Sequence, residues 1–264
     1  MTATRNELMV SAIASTLRDE ELVFVGVGTS GRAFTLAVGI PLVAARLAQL
    51  AHAPALDIYW GNLLSPDLSE SPTVLTQDAI TRWPGAYAPA DVGLKVDMLT
   101  RGEFDVSFES AAQVDRHGNL NITRIGTDAL PTVRLVGTLA QPEHLAFVKR
   151  PIIVCDLSSR VFVESVDYIT SFGFGDGTRT RASLGYDGGG PSLVITDHAV
   201  FDFGPEGRMR LRTLHPGVTV DDVQARMSFE PEIAEDLEQT PAPSADALRL
   251  IREQIDPSGA LLRV

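Results

Sequence analysis

The chain has 264 residues, a net charge of −12 and a single cysteine, Cys155. Its 44% hydrophobic and 21% charged residues predict an ordinary globular core, large enough for one α/β domain or two smaller ones. The acidic balance argues against a nucleic-acid surface, which needs clustered lysine and arginine, and the lone cysteine excludes an internal disulfide framework. Neither a signal-peptide pattern nor a run of about 18 apolar residues is evident, so we expect a cytoplasmic protein without a membrane span.

The first 60 residues predict the order helix, strand, glycine-rich loop, helix, strand. Residues 6–18 carry apolar side chains on one helical face, and residues 22–25 form a short β-branched and aromatic strand. The apolar spacing predicts a buried helix over 40–51, and a buried strand follows over 56–60. Ligands of α/β sheets bind beyond the carboxyl ends of strands, so the residues after Trp60 are candidates for a site.

Residues 26–31 follow a strand and match the pattern G-x-G-x-x-G. A dinucleotide site would need a helix to begin at once and an acidic residue about 20 positions further on. Gly39-Ile40-Pro41 predicts an interruption of the next helix, and Asp57 lies too far along, inside its strand. We therefore interpret the glycines as a flexible loop, which leaves a dinucleotide-dependent oxidoreductase as a distant alternative.

Glu109 is the carboxylate with the most suggestive position. It follows a predicted strand over 104–108 and precedes a strand-and-turn segment over 111–126. In apolar surroundings its pKa would rise, and it could then serve as an acid or a base. A solvated carboxylate at the start of a loop is the alternative, and the sequence does not decide between them.

Other chemistry is poorly supported. Residues 115–119 could form an acid/base cluster, but turns favour the same residue types, so we interpret them as a turn. Cys155 ends an apolar strand without a neighbouring histidine or lysine, which favours a buried inert thiol. The five histidines show no spacing typical of metal ligands, so we expect no metal site.

The second half continues the alternation of elements. A long glycine-rich segment over 172–191 is either functional or mobile. The predicted strands and helices cover residues 151–155, 161–170, 193–196, 200–203, 208–214, a helix capped by Thr219, and 244–255. Together the elements predict one α/β domain over 1–264, with an open, mostly parallel mixed sheet flanked by helices and late β-hairpins.

Five segments, taken in order, resemble the β subunit of the family I CoA-transferases, of the glutaconate CoA-transferase type. They are residues 39–59, 111–126, 166–171, 193–203 and 248–257. The resemblance extends over nearly the whole chain. It implies a CoA-transferase-like fold, an α subunit of similar fold in an α2β2 assembly, an active site between the subunits, and an acyl-CoA thioester as substrate without a further cofactor.

The chain departs from that family at its catalytic position. The family's β subunit supplies a glutamate in a V-E-S-G-like context, which attacks the thioester and carries the acyl and CoA groups. Alignment on residues 52–54 puts Gly61 at that position, followed by Asn62, and neither has a nucleophilic side chain. The family's G-S-G-G-A loop is also replaced, by residues 137–141.

Three segments also resemble the β subunit of a steroid ring-opening CoA hydrolase, in which the catalytic carboxylate comes from the α subunit. They are residues 160–167, 200–204 and 214–219. A related decarboxylase has likewise replaced the glutamate. The resemblance therefore implies ring-opening hydrolysis or decarboxylation of an acyl-CoA in a catabolic pathway.

We expect the substrate near Gly61, Asn62, Gln113 and Glu109. Glycine at position 61 would leave room for a bulky acyl group, Asn62 and Gln113 could donate hydrogen bonds, and Glu109 could act as acid or base. Two other hypotheses stay open. One is a genuine CoA-transferase with a relocated carboxylate, for example Glu109, and the other is a non-catalytic subunit that shapes its partner's site.

Overall fold

The structure, a computed structural model, describes residues 2–69, 83, 85–87, 92–138, 140–186 and 189–262. The chain divides into two compact units. The first comprises Met1–Met98, Glu103–Phe108 and Pro241–Val264, and the second comprises Leu99–Gly102 and Glu109–Thr240. The single domain expected over residues 1–264 stays a prediction.

The first unit opens with helix α1, Arg5–Ala14. Its start is a capping box, since the Glu7 N–H donates to the Thr4 hydroxyl over 3.2 Å and the Thr4 N–H donates to the Glu7 carboxylate over 2.7 Å. The helix ends before residue 18, which the apolar pattern predicted as its last residue. The Ser15 hydroxyl donates back to a carbonyl of the last turn, which helps to end the helix there.

The glycine-rich loop leads into one continuous helix rather than an interrupted one. Helix α2, Gly31–Phe34, is followed by a π-helical segment, Thr35–Gly39, and by α3, Ile40–Ala51. The predicted break at Gly39-Ile40-Pro41 was therefore wrong. A proline ring crowds the carbonyl four residues before it, and the wider π-helical turn that precedes Pro41 relieves this crowding.

This helix, Gly31–Ala51, is long and apolar enough to qualify as a membrane span by length and composition alone. Within its apolar window, 67% is buried inside the protein. A core helix of a soluble protein passes the same test, so the observation is weak evidence for a membrane.

Strands of the first unit lie in the order β4-β1-β2-β3. They are β1 Leu22–Val25, β2 Asp57–Trp60, β3 Leu63–Leu64 and β4 Val106–Glu109, whose last residue belongs to the second unit; helix α4, Val92–Thr100, precedes β4. β1 is parallel to β2 and β4, whereas β3 is antiparallel to β2. The rings of Phe24, Tyr59 and Phe104 pack on one another with centroids 5.4–5.8 Å apart.

The main sheet strands of the second unit lie in the order β13-β12-β11-β10-β9. They are β9 Arg150–Cys155, β10 Leu193–Thr196, β11 Ala199–Phe203, β12 Met209–Leu214 and β13 Glu232–Gln239. β9 is parallel to β10 and β12 to β13, while β11 is antiparallel to both β10 and β12. The predicted late hairpin between β11 and β12 is present.

The second unit also contains two small hairpins and two helices. They are β5 Gln113–Val114 with β6 Leu120–Asn121, β7 Arg124–Gly126 with β8 Pro131–Arg134, helix α5 Gln141–Phe147 and helix α6 Val220–Gln224. Apolar residues of β5, β6 and both helices join those of the main sheet strands in one core cluster around Phe162, Phe201 and Ile153.

Two parts of the second unit differ from the sequence prediction. Strand β13 lies where a linker was expected. The prediction missed it because an exposed acidic edge strand lacks the apolar run that signals a strand. Residues 161–170, predicted as two strand-like segments, form no named strand; Phe162 makes one isolated bridge with Val114.

The chain returns to the first unit with helix α7, Ala245–Leu250, which continues as a π-helical segment, Ile251–Ile255. Ser244 caps it, as the predicted start at this residue requires. With parallel and antiparallel strands flanked by helices, the predicted open mixed α/β fold is confirmed.

Candidate functional site

Glu109 closes strand β4 and is buried. Its side chain is 5% exposed. The carboxylate is therefore buried, and the alternative of a solvated carboxylate at the start of a loop is excluded. Its Oε1 lies 2.9 Å from Nδ1 of His144, whose side chain is 6% exposed. The hydrogen bond gives this buried carboxyl group a polar partner.

His144 is held in place because α5 is anchored at both ends. At its first residue, Gln141 Nε2 donates to the Ser110 carbonyl over 3.0 Å, and Gln141 Oε1 accepts from the Ser171 hydroxyl at 2.9 Å. At its last turn, the Arg181 guanidinium donates to the Leu145 carbonyl over 2.8 Å, and burial lowers the pKa of this arginine. A cation on terminal carbonyls stabilises a helix C-terminus.

Cys155 lies close to the segment that follows Glu109. Its Sγ is 3.8 Å from the Ala111 carbonyl oxygen. Burial raises the pKa of the thiol to about 12, which keeps it protonated and unreactive at neutral pH. The predicted burial of Cys155 is confirmed, and the inertness of its thiol stays a prediction.

Gln113, expected to bind substrate, takes part in a buried hydrogen-bond network. Its Oε1 accepts from Asn121 Nδ2 at 2.7 Å and from the Asp167 N–H at 2.9 Å. The carbonyl oxygen is therefore used within the protein, and a ligand could be bound only through the NH₂ group. Its substrate-binding role stays a prediction.

Residues 115–119 form the predicted turn. The Asp115 carboxylate accepts from the His117 and Asn119 N–H groups at 3.0 and 3.1 Å, and from Asn119 Nδ2 at 2.9 Å. Burial raises the pKa of Asp115. Because these hydrogen bonds stay within the turn, the structural interpretation is supported over an acid/base cluster.

Gly61 and Asn62 belong to the first unit and form the two-residue turn between β2 and β3. Gly61 is buried with φ +63°, and its N–H donates to the Val25 carbonyl over 2.8 Å. Two-residue hairpin turns need positive φ at their first position, which glycine adopts without strain. Asn62 is exposed. The turn thus supplies a conformational reason for glycine at position 61.

Two of residues 137–141, the segment that the sequence comparison puts in place of the family's glycine-rich loop, have a left-handed backbone. Gly137 has φ +93°, and Ala140, directly before α5, has φ +68°. The left-handed conformation costs an alanine on the order of 1 kcal/mol. Leu139 lies outside the described residues.

Gly28, in the glycine-rich segment 26–31, is explained by packing. Helix α2 begins at Gly31, so the strand–loop–helix order of a dinucleotide site is present after all. A Cβ at Gly28 would come within 2.8 Å of the Val38 side chain, and its φ is +62°. Close helix packing therefore accounts for this glycine, and the acidic residue that a dinucleotide site needs is still missing.

The sequence prediction missed His144. A histidine in the segment Q-P-E-H-L-A has no local signal, since its partner Glu109 stands 35 residues earlier. Among the described residues, no group of three or more histidine, cysteine, aspartate or glutamate side chains could hold a metal ion.

Comparison with known proteins gives a family. Residues 79–226 match the coenzyme A transferase family. The β-type chain of 3-oxoadipate CoA-transferase from Pseudomonas knackmussii is 34% identical over 94% of this chain and 91% of its own length. The cholesterol ring-cleaving hydrolase IpdB subunit from Mycobacterium tuberculosis is 33% identical over 97% of this chain and 96% of its own.

Two solved structures share the fold. Glutaconate CoA-transferase from Acidaminococcus fermentans superimposes with a TM-score of 0.81 at 27% identity, covering 100% of this chain and 98% of that one. The decarboxylase AibA/AibB gives a TM-score of 0.79 at 26% identity, covering 98% and 97%. The predicted resemblance is confirmed, and the chain belongs to the coenzyme A transferase family, as a β-type subunit of one of its enzymes.

Proposed function

We propose that this chain is the β subunit of an enzyme that cleaves a carbon–carbon bond of an acyl-CoA, by hydrolytic ring opening or by decarboxylation. The observation that carries the proposal is Gly61. CoA transfer by the family's chemistry needs a carboxylate nucleophile at this position. Here the position is the first residue of a tight hairpin with φ +63°, where a glutamate would be strained.

The names of relatives support this reaction class. One relative is a ring-cleaving hydrolase subunit and a structural neighbour is a decarboxylase. By analogy with that two-component decarboxylase, the chain works with an α subunit, which we propose to form an α2β2 assembly and to supply the main carboxylate. The acyl-CoA thioester is the substrate and no other cofactor is needed. We expect the assembly in the cytoplasm.

Each candidate residue keeps a role within this proposal. Gly61 makes room for a bulky acyl group, and the exposed Asn62 donates a hydrogen bond to it. Gln113 donates through its NH₂ group. Glu109, buried and hydrogen-bonded to His144, acts as acid or base.

A genuine CoA-transferase is the second candidate, because a relative at 34% identity is a 3-oxoadipate CoA-transferase subunit. This chain would then need a relocated carboxylate, for which Glu109 is the candidate. A subunit without any catalytic group is the third. In that case Asn62, Glu109 and Gln113 could all be replaced with little loss of activity.

The test uses the complex of the full chain with its α subunit. It is incubated with CoA thioesters that carry a ring ketone or a second carboxylate, and products are identified by mass spectrometry. In parallel, acetyl-CoA is offered with glutaconate or 3-oxoadipate as acceptor, and hydroxylamine or borohydride traps any thioester on this chain. We expect cleaved or decarboxylated products and an unmodified chain. Transfer of CoA with a trapped Glu109 would support the second candidate instead.

A further inference from the structure

Glu109 and His144 are two buried titratable side chains in direct contact, and the family resemblance assigns neither of them. Their hydrogen bond of 2.9 Å joins the end of β4 to α5. We propose that His144 is the positioning residue of Glu109 and that the two form a carboxylate–histidine dyad which shares a proton during bond cleavage. The inference rests on the proposed function and names the partner through which Glu109 would act.

The pair is suited to handling protons because its members compensate each other. A buried carboxylate is costly when ionised, and a hydrogen bond from imidazole lowers that cost. A proton can move along the hydrogen bond between the two side chains without leaving an isolated buried charge. The ionisable groups next to α5 and to the segment that follows Glu109 include Arg181 at the helix end, Glu143 on the same helix and the Cys155 thiol, which has Asp156 beside it.

The position of the imidazole is fixed. Gln141 ties the start of α5 to the Ser110 carbonyl, directly after Glu109, and Arg181 ties its end to the segment around Gly173. A side chain on a helix anchored in this way keeps its geometry through a reaction cycle. The anchoring therefore serves the pairing of Nδ1 with the carboxylate.

The proposed hydrolysis uses Glu109 first in its protonated form and then in its ionised form. Hydrolysis of a carbon–carbon bond adds hydrogen to one fragment and hydroxyl to the other. Glu109, as the acid, gives its proton to the departing carbon. The carboxylate that remains then takes a proton from the water whose oxygen bonds to the acyl carbon, and this proton is held in the hydrogen bond between Glu109 Oε1 and His144 Nδ1. Glu109 is thereby restored to its acid form.

The decisive variant is His144→Asn, measured in the complex with the α subunit. Asparagine presents an N–H close to the place of Nδ1–H but does not titrate near neutral pH. We expect kcat to fall about 100-fold with KM within threefold, and one limb of the kcat pH profile to disappear. The double variant of His144→Asn with Glu109→Gln should have a kcat no lower than that of the less active single variant, as expected for groups that act as a unit.

His215→Asn is the matched control. His215 is also buried, with Nδ1 3.0 Å from the Thr240 hydroxyl and Nε2 2.8 Å from the Thr196 carbonyl oxygen. Its replacement should lower the unfolding temperature and leave the pH profile of kcat unchanged. Wild-type kcat and pH profile in His144→Asn would overturn the proton-sharing role of His144.

A second measurement does not depend on the reaction. In nitrogen-15 NMR of labelled histidines, without substrate, the His144 signals should shift in Glu109→Gln, because Nδ1 loses the carboxylate with which it shares a proton. Histidine signals that are the same in the wild type and in Glu109→Gln would overturn the pairing whatever the enzyme does. If the complex transfers CoA instead of cleaving its substrate, the proposed function fails, and the same variants measured on that reaction still decide whether the dyad works.

Discussion

Two strand ends of this protein have opposite chemistry. Strand β2 ends in a two-residue turn with no ionisable side chain, where Gly61 meets a backbone requirement and Asn62 is exposed. Strand β4 ends in a buried carboxylate, Glu109, whose partner His144 lies on an anchored helix. The comparison teaches that a residue at one strand end can be required by the local backbone, while a buried carboxylate at another strand end depends on a partner from a distant part of the chain.

The largest expected effect is on stability at the β4 end. His144→Leu removes one partner of a buried pair and leaves the Glu109 carboxylate without its hydrogen bond, which should cost about 3 kcal/mol. For a chain of this size, this corresponds to a fall of roughly 6 °C or more in the unfolding temperature of the complex, measured by calorimetry. Asn62→Ala, at the exposed turn, should change stability by less than about 0.5 kcal/mol. Equal losses of stability in His144→Leu and Asn62→Ala would remove the contrast between the two strand ends.

The next effect is on catalysis. Glu109→Gln keeps the size of the side chain but not its charge, so kcat should fall about 100-fold in steady-state assays of the complex. Asp202→Asn, in an ion pair with Arg210 in which Asp202 Oδ1 and Arg210 Nε are 2.8 Å apart, is the control and should keep kcat within about twofold. Unchanged turnover in Glu109→Gln would remove this residue from the mechanism.

A smaller effect tests the β2 end. Gly61→Glu introduces the glutamate that the sequence resemblance implies for this position but places it at φ +63°, which should cost about 1 kcal/mol, or roughly 2–4 °C in unfolding temperature. Gly61→Asn is the matched variant, because asparagine tolerates this conformation better. We expect no CoA transfer from either. A gain of transfer activity in Gly61→Glu would show that the side chain alone, and not the turn, separates this chain from the transferases.

The smallest effect concerns the thiol near the Glu109 segment. With its pKa raised to about 12, Cys155 should react with iodoacetamide at pH 8 about 1,000-fold more slowly than a free cysteine, and readily once the chain is unfolded. The modified fraction is measured by mass spectrometry. Rapid alkylation of the folded complex would mean that the surroundings of Ala111 are open to solvent, and that the β4 end is less closed than the structure indicates.

Local pattern was enough for much of the fold. The apolar spacing of residues 40–51 and the β-branched residues 22–25 match α3 and β1, because burial on one face or on both leaves a periodic trace in the sequence. Prediction from local pattern failed where packing against other parts of the chain decides the secondary structure. The helix continues through Pro41 in a π-helical turn, and β13 is an acidic edge strand with no apolar signal.

The candidate site divides in the same way. The sequence alone determined the family, the glycine at position 61 and the presence of a carboxylate after β4. Only the tertiary structure decided that Gly61 occupies a positive-φ turn and that Glu109 is buried against a histidine 35 residues away. The reason is physical: the burial and hydrogen bonding of a charged group depend on which distant elements pack around it, and those contacts leave no period in the chain.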